Sequence, residues 1–403
     1  MALMRLVRQR GPSSNVWRSA AFVTLLIITS VVATSTSDAS GQDNFRASVS
    51  LQEFWLTSGH SAWGLGNDAL WITQDSGQAW RRVLRLPTPA PSRVSVAISS
   101  GERAAVAIGG YSNVPGGVVL HSTDDGGLRW STSHVVVSTY VPSGMAYPTN
   151  LNWLGTTALL VLIRPNVGMN SPTGALVLAT QGRPPRIVAM TSSKATSNKL
   201  PSSIGQLNFA NNQNGYFATQ ITTTSNLTLE YTGDAGRTWS PVTLPGRGVP
   251  LAPPKYFAAQ HVWLALAAKG PALINGASRC TVFASAQTSS RTWRTSGGCY
   301  YETNASGHLA SPYFLTPSQG WEIDKGQFER TFNGGRTWVA LPWRAVPSDV
   351  TPYNSAIQTF ELAFATPTRG WLLTSSPSGG TELLVTDTAG LTWKVVHPSV
   401  ISS

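Results

Sequence analysis

The chain has 403 residues, a length that suits two average domains or one large repeat fold. Only 12% of the residues are charged, whereas glycine (37 residues) and proline (26 residues) are abundant, and this composition favours short strands joined by many turns over exposed helices. The formal net charge is +11, but the positive residues are mostly spread singly and the densest cluster is Arg81, Arg82 and Arg85, so no basic arm and no nucleic-acid partner is predicted.

The N-terminus has the pattern of a signal peptide. Four arginines precede an apolar run from Ala20 to Ala33, and cleavage after Ala33 or Ala39 fits the small-residue rule. The run is shorter than the ~20 residues of a membrane span, so an uncleaved anchor is the alternative, and it would be the chain's only membrane contact. We expect residues 1–39 to be a signal peptide and linker. Residues 40–403 then form a single domain that is secreted or extracytoplasmic, on the cell-envelope side.

Beyond the N-terminus, an eight-residue motif that ends on tryptophan occurs six times. The copies are Thr73–Trp80, Thr123–Trp130, Thr232–Trp239, Ala286–Trp293, Thr331–Trp338 and Thr386–Trp393. Successive tryptophans are 50, 109, 54, 45 and 55 residues apart. Because one interval is double the others, we predict a repeat without the motif between Leu151 and Met190. Residues 180–185 stand there in the place of the motif.

A second, upstream pattern marks the same units. It consists of a strand, a polar turn and a strand opened by an aromatic residue, as in Phe209–Phe217, Phe314–Ile323 and Phe364–Leu373. Together with the strands on either side of the motif, this pattern gives four strands in each unit. Units of about 40–55 residues are typical of propeller blades. The sequence therefore predicts an all-β fold, a seven-bladed β-propeller of four-stranded antiparallel blades.

The motif has the chemistry of a tight turn rather than of an active site. An acidic residue can accept hydrogen bonds from the backbone of the turn, and glycine two residues later supplies a positive φ. The tryptophan then begins the next strand and buries a large ring. Asparagine or threonine replaces the acid in half of the copies, which a catalytic acid would not tolerate. The predicted structural residues are Asp75, Trp80, Asp125, Trp130, Asp234, Trp239, Trp293, Asn333, Trp338 and Trp393.

At these residues the sequence resembles the Asp-box, or bacterial neuraminidase repeat, superfamily of β-propellers. Its repeat style is most similar to the photosystem II assembly factor and the sortilin-like members, which are not enzymes. The resemblance implies that the motifs lie on the outer turns, away from the ligand-binding face. It also raises the alternative of a secreted glycoside hydrolase, sialidase-like or glucan-active, because many members of the superfamily are hydrolases.

The residues argue against a sialidase. A sialidase needs three converging arginines and an Arg-Ile-Pro segment near the first blade, and this sequence lacks that segment. Arg237, Arg291 and Arg336 all occupy one motif position, two residues before the tryptophan. Tyr300 and Tyr301 stand beside Glu302, but adjacent residues on a strand point to opposite faces.

Other glycosidases need two suitably spaced carboxylates, and here the catalytic residues stay unknown. The first pair to inspect is Glu322 and Asp324, which share a strand face, with a solvated blade edge as the more ordinary interpretation. The six histidines show no metal-binding spacing, and residues 109–117 suit a hairpin loop rather than a phosphate cradle. No metal and no cofactor is predicted.

The two cysteines, Cys280 and Cys299, flank the fifth motif and are predicted to form a disulfide. A hairpin that pairs Ser285 with Arg294 would also bring the cysteines opposite each other, and export favours the bond. The alternative is two buried free thiols in one blade. The function favoured by the sequence is an exported, monomeric, non-enzymatic propeller that binds a protein, peptide or glycan through its loop face.

Overall fold

The fold is built from β-strands, and residues 46–403 form one compact unit. The computed structural model describes residues 49–87, 94–110, 117–136, 146–155, 158–165, 174–180, 183–191, 205–220, 227–245, 249–250, 255–257, 261–269, 279–287, 291–295, 300–301, 312–324, 327–342, 359–375 and 381–401. Within these ranges no helix has the length and apolar character needed to cross a membrane. The predicted signal peptide and its cleavage sites lie outside the described residues.

The strands of the described residues pair into seven sheets, which we number in chain order. Sheet 1 contains β1 (Leu51–Leu56), β2 (Ala62–Gly66), β3 (Ala69–Thr73) and β4 (Ala79–Arg85). Sheet 2 contains β5 (Val94–Ile98), β6 (Ala104–Gly109), β7 (Gly117–Thr123) and β8 (Ser131–Val136). Sheet 3 contains β9 (Ala146–Leu154), β10 (Ala158–Pro165), β11 (Gly174–Thr180) and β12 (Arg186–Thr191). Sheet 4 contains β13 (Gly205–Phe209), β14 (Gly215–Gln220), β15 (Leu227–Thr232) and β16 (Ser240–Pro241).

The remaining sheets follow the same order along the chain. Sheet 5 contains β17 (Val249–Pro250), β18 (Lys255–Phe257), β19 (His261–Lys269), β20 (Arg279–Gln287), β21 (Arg294–Thr295) and β22 (Tyr300–Tyr301). Sheet 6 contains β23 (Tyr313–Phe314), β24 (Gly320–Asp324), β25 (Gln327–Thr331) and β26 (Val339–Ala340). Sheet 7 contains β27 (Thr359–Phe364), β28 (Gly370–Ser375), β29 (Thr381–Thr386) and β30 (Lys394–Val396). The last strand of the chain is β31 (Ser399–Ile401).

In every sheet except sheet 5, strands that follow each other along the chain are antiparallel neighbours. The first strands of neighbouring sheets touch, since β5 contacts β9, β9 contacts β13, and β1 contacts β27. This succession of four-stranded antiparallel sheets around their first strands is the arrangement of a β-propeller. The predicted all-β class is confirmed.

Sheet 5 departs from the four-strand pattern. Both β17 and β18 pair with β19, and both β21 and β22 pair with β20, so each edge of the sheet is divided into two short pieces. Because one sheet has this irregular outline, the number of blades stays a prediction.

The apolar core is a series of clusters, each between two consecutive sheets. Clusters lie between sheets 1 and 2, 2 and 3, 3 and 4, 4 and 5, and 6 and 7. A further cluster joins sheet 7 to sheet 1, where Trp371 packs with Phe54 and Trp80. Propeller sheets must bury both faces, which explains why central strands such as β2, β3 and β6 are buried along their whole length.

The two ends of the chain meet in sheet 1. Strand β31 pairs in parallel with β4, with Val400 opposite Trp80. The backbone N–H of Val49 also donates to the carbonyl of Pro398 at 3.2 Å. This fifth strand ties the last part of the chain to the first sheet. The sequence analysis did not predict this contact.

The cysteine register differs from the prediction. Ser285 pairs with Arg294, as predicted, but Cys280 pairs with Tyr301 rather than with Cys299. The ladder is therefore shifted by two residues between these pairs, and the register argument for Cys280 opposite Cys299 is wrong. Cys299 and the side chain of Cys280 lie outside the described residues, and the disulfide stays a prediction.

Candidate functional site

The motif turns, which we call box turns, each join the third strand of a sheet to the fourth. In every copy except Ala286–Trp293 the first residue is a threonine, and it is almost fully buried, with exposed fractions of 2% at Thr73, 4% at Thr123 and 0% at Thr232. Its hydroxyl accepts the backbone N–H of the motif glycine, with distances of 3.2 Å at Gly77 and 2.9 Å at Gly236. The threonine thus supplies an acceptor for a buried donor, as buried backbone groups require.

The third motif residue accepts hydrogen bonds from the other side of the turn. Asp75 Oδ1 accepts the hydroxyl of Thr73 at 2.8 Å and the backbone N–H of Ala79 at 2.9 Å. Asn333 Oδ1 accepts the backbone N–H of Thr337 at the same 2.9 Å, and Thr388 Oγ1 accepts that of Thr392 at 2.8 Å. A carboxylate, an amide and a hydroxyl therefore play the same structural role. Each accepts a backbone N–H of the turn, which requires an oxygen atom but no negative charge.

The carboxylates of these turns are stabilised in their charged form. The backbone N–H of Arg129 is the largest cause that lowers the pKa of Asp125, and the Thr123 hydroxyl and the Leu128 N–H act in the same direction. For Asp234, partial burial raises the pKa, but hydrogen bonds from Thr238 and Thr232 outweigh it, and the pKa is lowered. Lowered values keep these groups ionised at neutral pH, so neither is suited to donate a proton there.

Two successive residues of each described box turn adopt left-handed backbone conformations. Glycine does so at φ 83° in Gly77 and φ 91° in Gly390, which confirms the predicted reason for its presence. The residue before it is also left-handed, with φ 60° at Ala235 and 61° at Ala389. The backbone N–H of this residue donates to the loop between the first two strands, for example Ala389 to the Thr368 carbonyl at 2.7 Å. The two turns at this end of a sheet are thus joined.

The motif tryptophan packs against the preceding sheet. Trp130 lies edge-on to Trp63 of sheet 1 at 6.5 Å, and its indole N–H donates to the carbonyl of Val83 at 2.8 Å. Trp393 of sheet 7 lies edge-on to Phe328 of sheet 6 at 5.4 Å, and Trp293 of sheet 5 lies 5.4 Å from Tyr216 of sheet 4. Such rings fill the space between neighbouring sheets.

The motif arginines do not form a common site. Arg237, Arg291 and Arg336 are exposed on the turns of three different sheets. Arg291 lies over the ring of Tyr231 in the preceding sheet, with its guanidinium carbon 5.5 Å from the ring centre. Tyr300 and Tyr301 lie on β22, but their side chains and Glu302 are outside the described residues.

The acidic residues outside the motifs are dispersed over the sheets. Glu322 is only 6% exposed and lies opposite Glu329 on the neighbouring strand, so the interpretation as a solvated blade edge is wrong for this residue. The side chain of Asp324 is outside the described residues. Glu361 on β27 accepts the backbone N–H of Phe54 at 2.8 Å and so links sheet 7 to sheet 1. Burial raises the pKa of Glu53 and of Glu230, which lie on different sheets.

The described part of the chain offers no candidate metal centre. No group of three or more histidine, cysteine, aspartate or glutamate side chains lies there in a metal-binding arrangement. The Gly109–Gly117 loop was predicted as a hairpin turn, and its two flanking strands, β6 and β7, do pair antiparallel. Its central residues lie outside the described ranges.

A cleft of about 570 Å³ opens between sheets 2 and 3 at the box-turn end. Leu120 and Ser133 of sheet 2 form one wall, and Trp153 and Ala179 of sheet 3 form the other. Its volume is within the usual range for ligand sites. The Trp153 indole N–H donates to the carbonyl of Ala97 in sheet 2 at 3.1 Å, which fixes the ring between the two sheets.

Three arginines line the cleft. The guanidinium carbon of Arg103 lies 5.6 Å from the centre of the Trp153 ring, and Arg129 and Arg183 are exposed on the turns at either side. The sequence analysis did not identify this site. The available signal was the missing motif in residues 180–185, because a sheet without the motif also lacks the aromatic ring that fills such a space.

Comparisons with known proteins show the fold alone. No family model and no curated protein matches the sequence. Among solved structures, the chain is similar to YCF48 bound to D1 peptide, with 16% identity and a TM-score of 0.51, over 85% of this chain and 92% of that chain. It is also similar to the GH74 xyloglucanase from Xanthomonas campestris, with 14% identity and a TM-score of 0.54, over 88% of this chain.

A third similar structure is one of two prolyl endopeptidases, with 14% identity and a TM-score of 0.52 over 87% of this chain. The chain covers 55% of the xyloglucanase and 49% of the endopeptidase, about half the length of each. These likenesses agree with the β-propeller arrangement of the sheets. At such low identity, they transfer no activity.

Proposed function

We propose that the protein is an exported, non-enzymatic, seven-bladed β-propeller of the Asp-box type that binds a protein, peptide or glycan through its loop face. The loop face is the end of the sheets opposite the box turns, where the second strand of a sheet connects to the third and one sheet connects to the next. Each of the seven sheets is one blade in this proposal. A disulfide between Cys280 and Cys299 and cleavage after Ala33 or Ala39 belong to the same proposal.

The observation that carries this proposal is the interchange of side chains at the third motif position. Asp75, Asn333 and Thr388 each accept a backbone N–H of the turn at 2.8–2.9 Å. The residues that recur most regularly are thereby explained by the scaffold. A ligand site then has to lie where the repeats differ, and propeller folds carry such variation in their connecting loops.

The structural neighbours are compatible with a binding role. One of them is YCF48, which its title describes as bound to D1 peptide. A peptide is therefore a reasonable first class of ligand to test for this chain. The basic composition also suits an anionic protein or glycan surface.

A secreted glycoside hydrolase is the second candidate function. It is favoured by one specific observation, the buried carboxyl group of Glu322 opposite Glu329 on the neighbouring strand. Glycosidases work with two carboxyl groups, one of which is often raised in pKa by burial. The xyloglucanase in the comparison shares the fold and no more.

An activity assay separates the two candidates. The purified protein is incubated with sialosides and with a panel of cell-wall and plant glycans, and released sugars are measured. We expect no product, and at most binding. Turnover that is lost in Glu322→Gln, but kept in the exposed control Glu102→Gln, would establish the hydrolase instead, because the amide preserves size and removes acid–base and nucleophilic capacity.

A further inference from the structure

The cleft between sheets 2 and 3 occupies a position that an indole ring fills elsewhere in this molecule. Between sheets 1 and 2, Trp130 reaches back to sheet 1 and contacts Trp63 and the carbonyl of Val83. Trp130 comes from the box turn of sheet 2, directly beyond the Ser122–Ser131 pair that ends the ladder. The motif tryptophans Trp80, Trp293 and Trp393 likewise pack against an aromatic ring of the preceding sheet.

The cleft between sheets 2 and 3 is the equivalent of the space between sheets 1 and 2, and residues of sheet 2 there correspond to residues of sheet 1. Val83 follows Trp80 by three residues, and Ser133 follows Trp130 by three residues. Ser133 thus holds the place of Val83, and it lines the cleft. By the same register, Ala62 pairs with Thr73 and Ala104 pairs with Thr123, so the small Ala105 holds the place of Trp63.

Trp153 on the first strand of sheet 3 lies in this space, but the turn between the third and fourth strands of sheet 3 adds no second ring, since residues 180–186 contain no aromatic residue. This turn is shorter, since Leu178 pairs with Arg186. Continuing this register sets Pro184 opposite Thr180, where the other sheets have tryptophan, and Pro184 lines the cleft. Because Ala105 is small and the turn of sheet 3 is short, a space stays open between the two sheets. The buried apolar side chains of Leu120 and Ala179 lie at its base.

The rim of the cleft favours an acidic ligand. Arg103, Arg129 and Arg183 line it together with two acidic residues, Asp124 and Asp125. The Asp125 carboxylate already accepts the backbone N–H groups of Leu128 and Arg129, at 3.0 and 2.9 Å. Three guanidinium groups outnumber two carboxylates, so the rim has a positive balance. Guanidinium groups pair well with carboxylates.

We propose that this cleft binds a tryptophan side chain from an acidic peptide segment of a partner protein. The partner's indole takes the place that Trp130 occupies between sheets 1 and 2, with the hydroxyls of Ser131 and Ser133 as acceptors for its N–H. Carboxylates beside the tryptophan pair with Arg129 and Arg183. The cleft is at the box-turn end and is distinct from the loop face, so this site does not depend on the function proposed above.

The test uses fluorescein-labelled heptapeptides and fluorescence polarisation with the purified protein. One peptide has a central tryptophan between glutamates and aspartates, and its control has alanine at the centre. We expect the tryptophan peptide to bind at least about tenfold more tightly, because a desolvated aromatic anchor dominates such an interface. Equal affinity of the two peptides would overturn the proposal, since binding would then rest on charge alone.

Matched variants locate the site. Ser133→Trp places an indole in the cleft from within and should abolish binding, whereas Lys394→Trp, on the exposed outer strand of sheet 7, should not change it. Arg183→Glu should weaken binding several-fold, whereas Arg237→Glu, exposed on the box turn of sheet 4, should leave it within about twofold. Binding that survives both Ser133→Trp and Arg183→Glu would overturn the proposal. The proposal would also be overturned if a uronate oligosaccharide displaced the peptide and bound the unmodified protein and both variants with equal affinity.

Discussion

Thr232 and Asp234 stabilise the same turn in different surroundings. The Thr232 hydroxyl accepts a buried N–H from Gly236, whereas Asp234 accepts the exposed N–H of Thr238. An unmade hydrogen bond costs more when the orphaned donor is buried, because water cannot replace the lost acceptor. We therefore expect the buried threonine of the motif to contribute more to the stability of the fold than the acidic residue does.

A pair of substitutions tests this order. Thr232→Val keeps the shape of the side chain and removes the hydroxyl, so the free energy of unfolding should fall by about 1–3 kcal/mol. Asp234→Ala should lower it by about 1 kcal/mol or less, since water can bind the exposed N–H groups. Both changes in the free energy of unfolding can be measured by urea unfolding monitored by tryptophan fluorescence. A larger loss for Asp234→Ala than for Thr232→Val would contradict the assignment.

The depressed pKa of Asp125 makes its contribution depend on pH. A carboxyl group with a lower pKa in the folded state stabilises the fold above its unfolded pKa, near 4, and loses that contribution as pH falls through the folded value. Asp125→Asn keeps the acceptor oxygen, as Asn333 does, and removes the titration. The stability difference between the protein and Asp125→Asn should therefore be larger at pH 7 than at pH 3.

Thermal unfolding at the two pH values measures this difference. Asp124→Asn is the control, because it removes a neighbouring charge that the turn does not use as an acceptor. Partial desolvation raises the pKa values of Glu53 and Glu230, which gives them the opposite pH dependence, but both residues are common to all three proteins and cancel in the comparison. The same difference at pH 7 and pH 3 would speak against a charged role for Asp125.

At the scale of elements, strand β31 closes the molecule with few contacts. Val400 is half-buried against the cluster between sheets 7 and 1, whereas Ile401 is 51% exposed. Val400→Ser should lower the free energy of unfolding by about 1 kcal/mol, and Ile401→Ser should change it little, as burial is the source of the apolar contribution. Deletion of residues 399–403 should lower it by more, since the backbone pairing with β4 is also lost.

Urea unfolding of the three variants checks this prediction. Equal stabilities for Val400→Ser and Ile401→Ser would show that the strand does not pack as described. An unchanged stability after the deletion would show that β31 contributes nothing to closure.

The sequence predicted the local elements well and the long-range ones less well. The box turns could be placed because threonine, glycine and tryptophan each have a local reason to be there, visible at fixed spacing. Strand β31 was missed, because three residues that pair with a strand more than 300 positions earlier leave no local signal. The register at Cys280 failed because a ladder can shift by two residues without any mark in the pattern.

The cleft required knowledge of both sheets. Its cause is the short turn of residues 180–186, and the sequence analysis identified residues 180–185 as the stretch that stands in the place of the motif. Its position is not local, since the direction in which each tryptophan packs became visible only in pairs such as Trp130 with Trp63. Likewise, burial of Glu322 depends on the neighbouring sheets and not on its own strand.

At the scale of the whole molecule, one repeat accounts for both scaffold and candidate site. The box turns fasten each sheet and send a ring against the preceding sheet, and the cleft lies where sheet 3 lacks this ring. The cluster between sheets 7 and 1 and the pairing of β31 with β4 close the series. The central claim is that seven such sheets form one closed ring.

A crystal structure of the protein tests this claim most directly. We predict seven sheets around one axis, with the box turns at one end and an open cleft between sheets 2 and 3 beside Trp153 and Pro184. Six or eight sheets, or a helical domain after residue 45, would contradict the account. A cleft filled by a second aromatic side chain beside Trp153 would contradict the explanation of the candidate site.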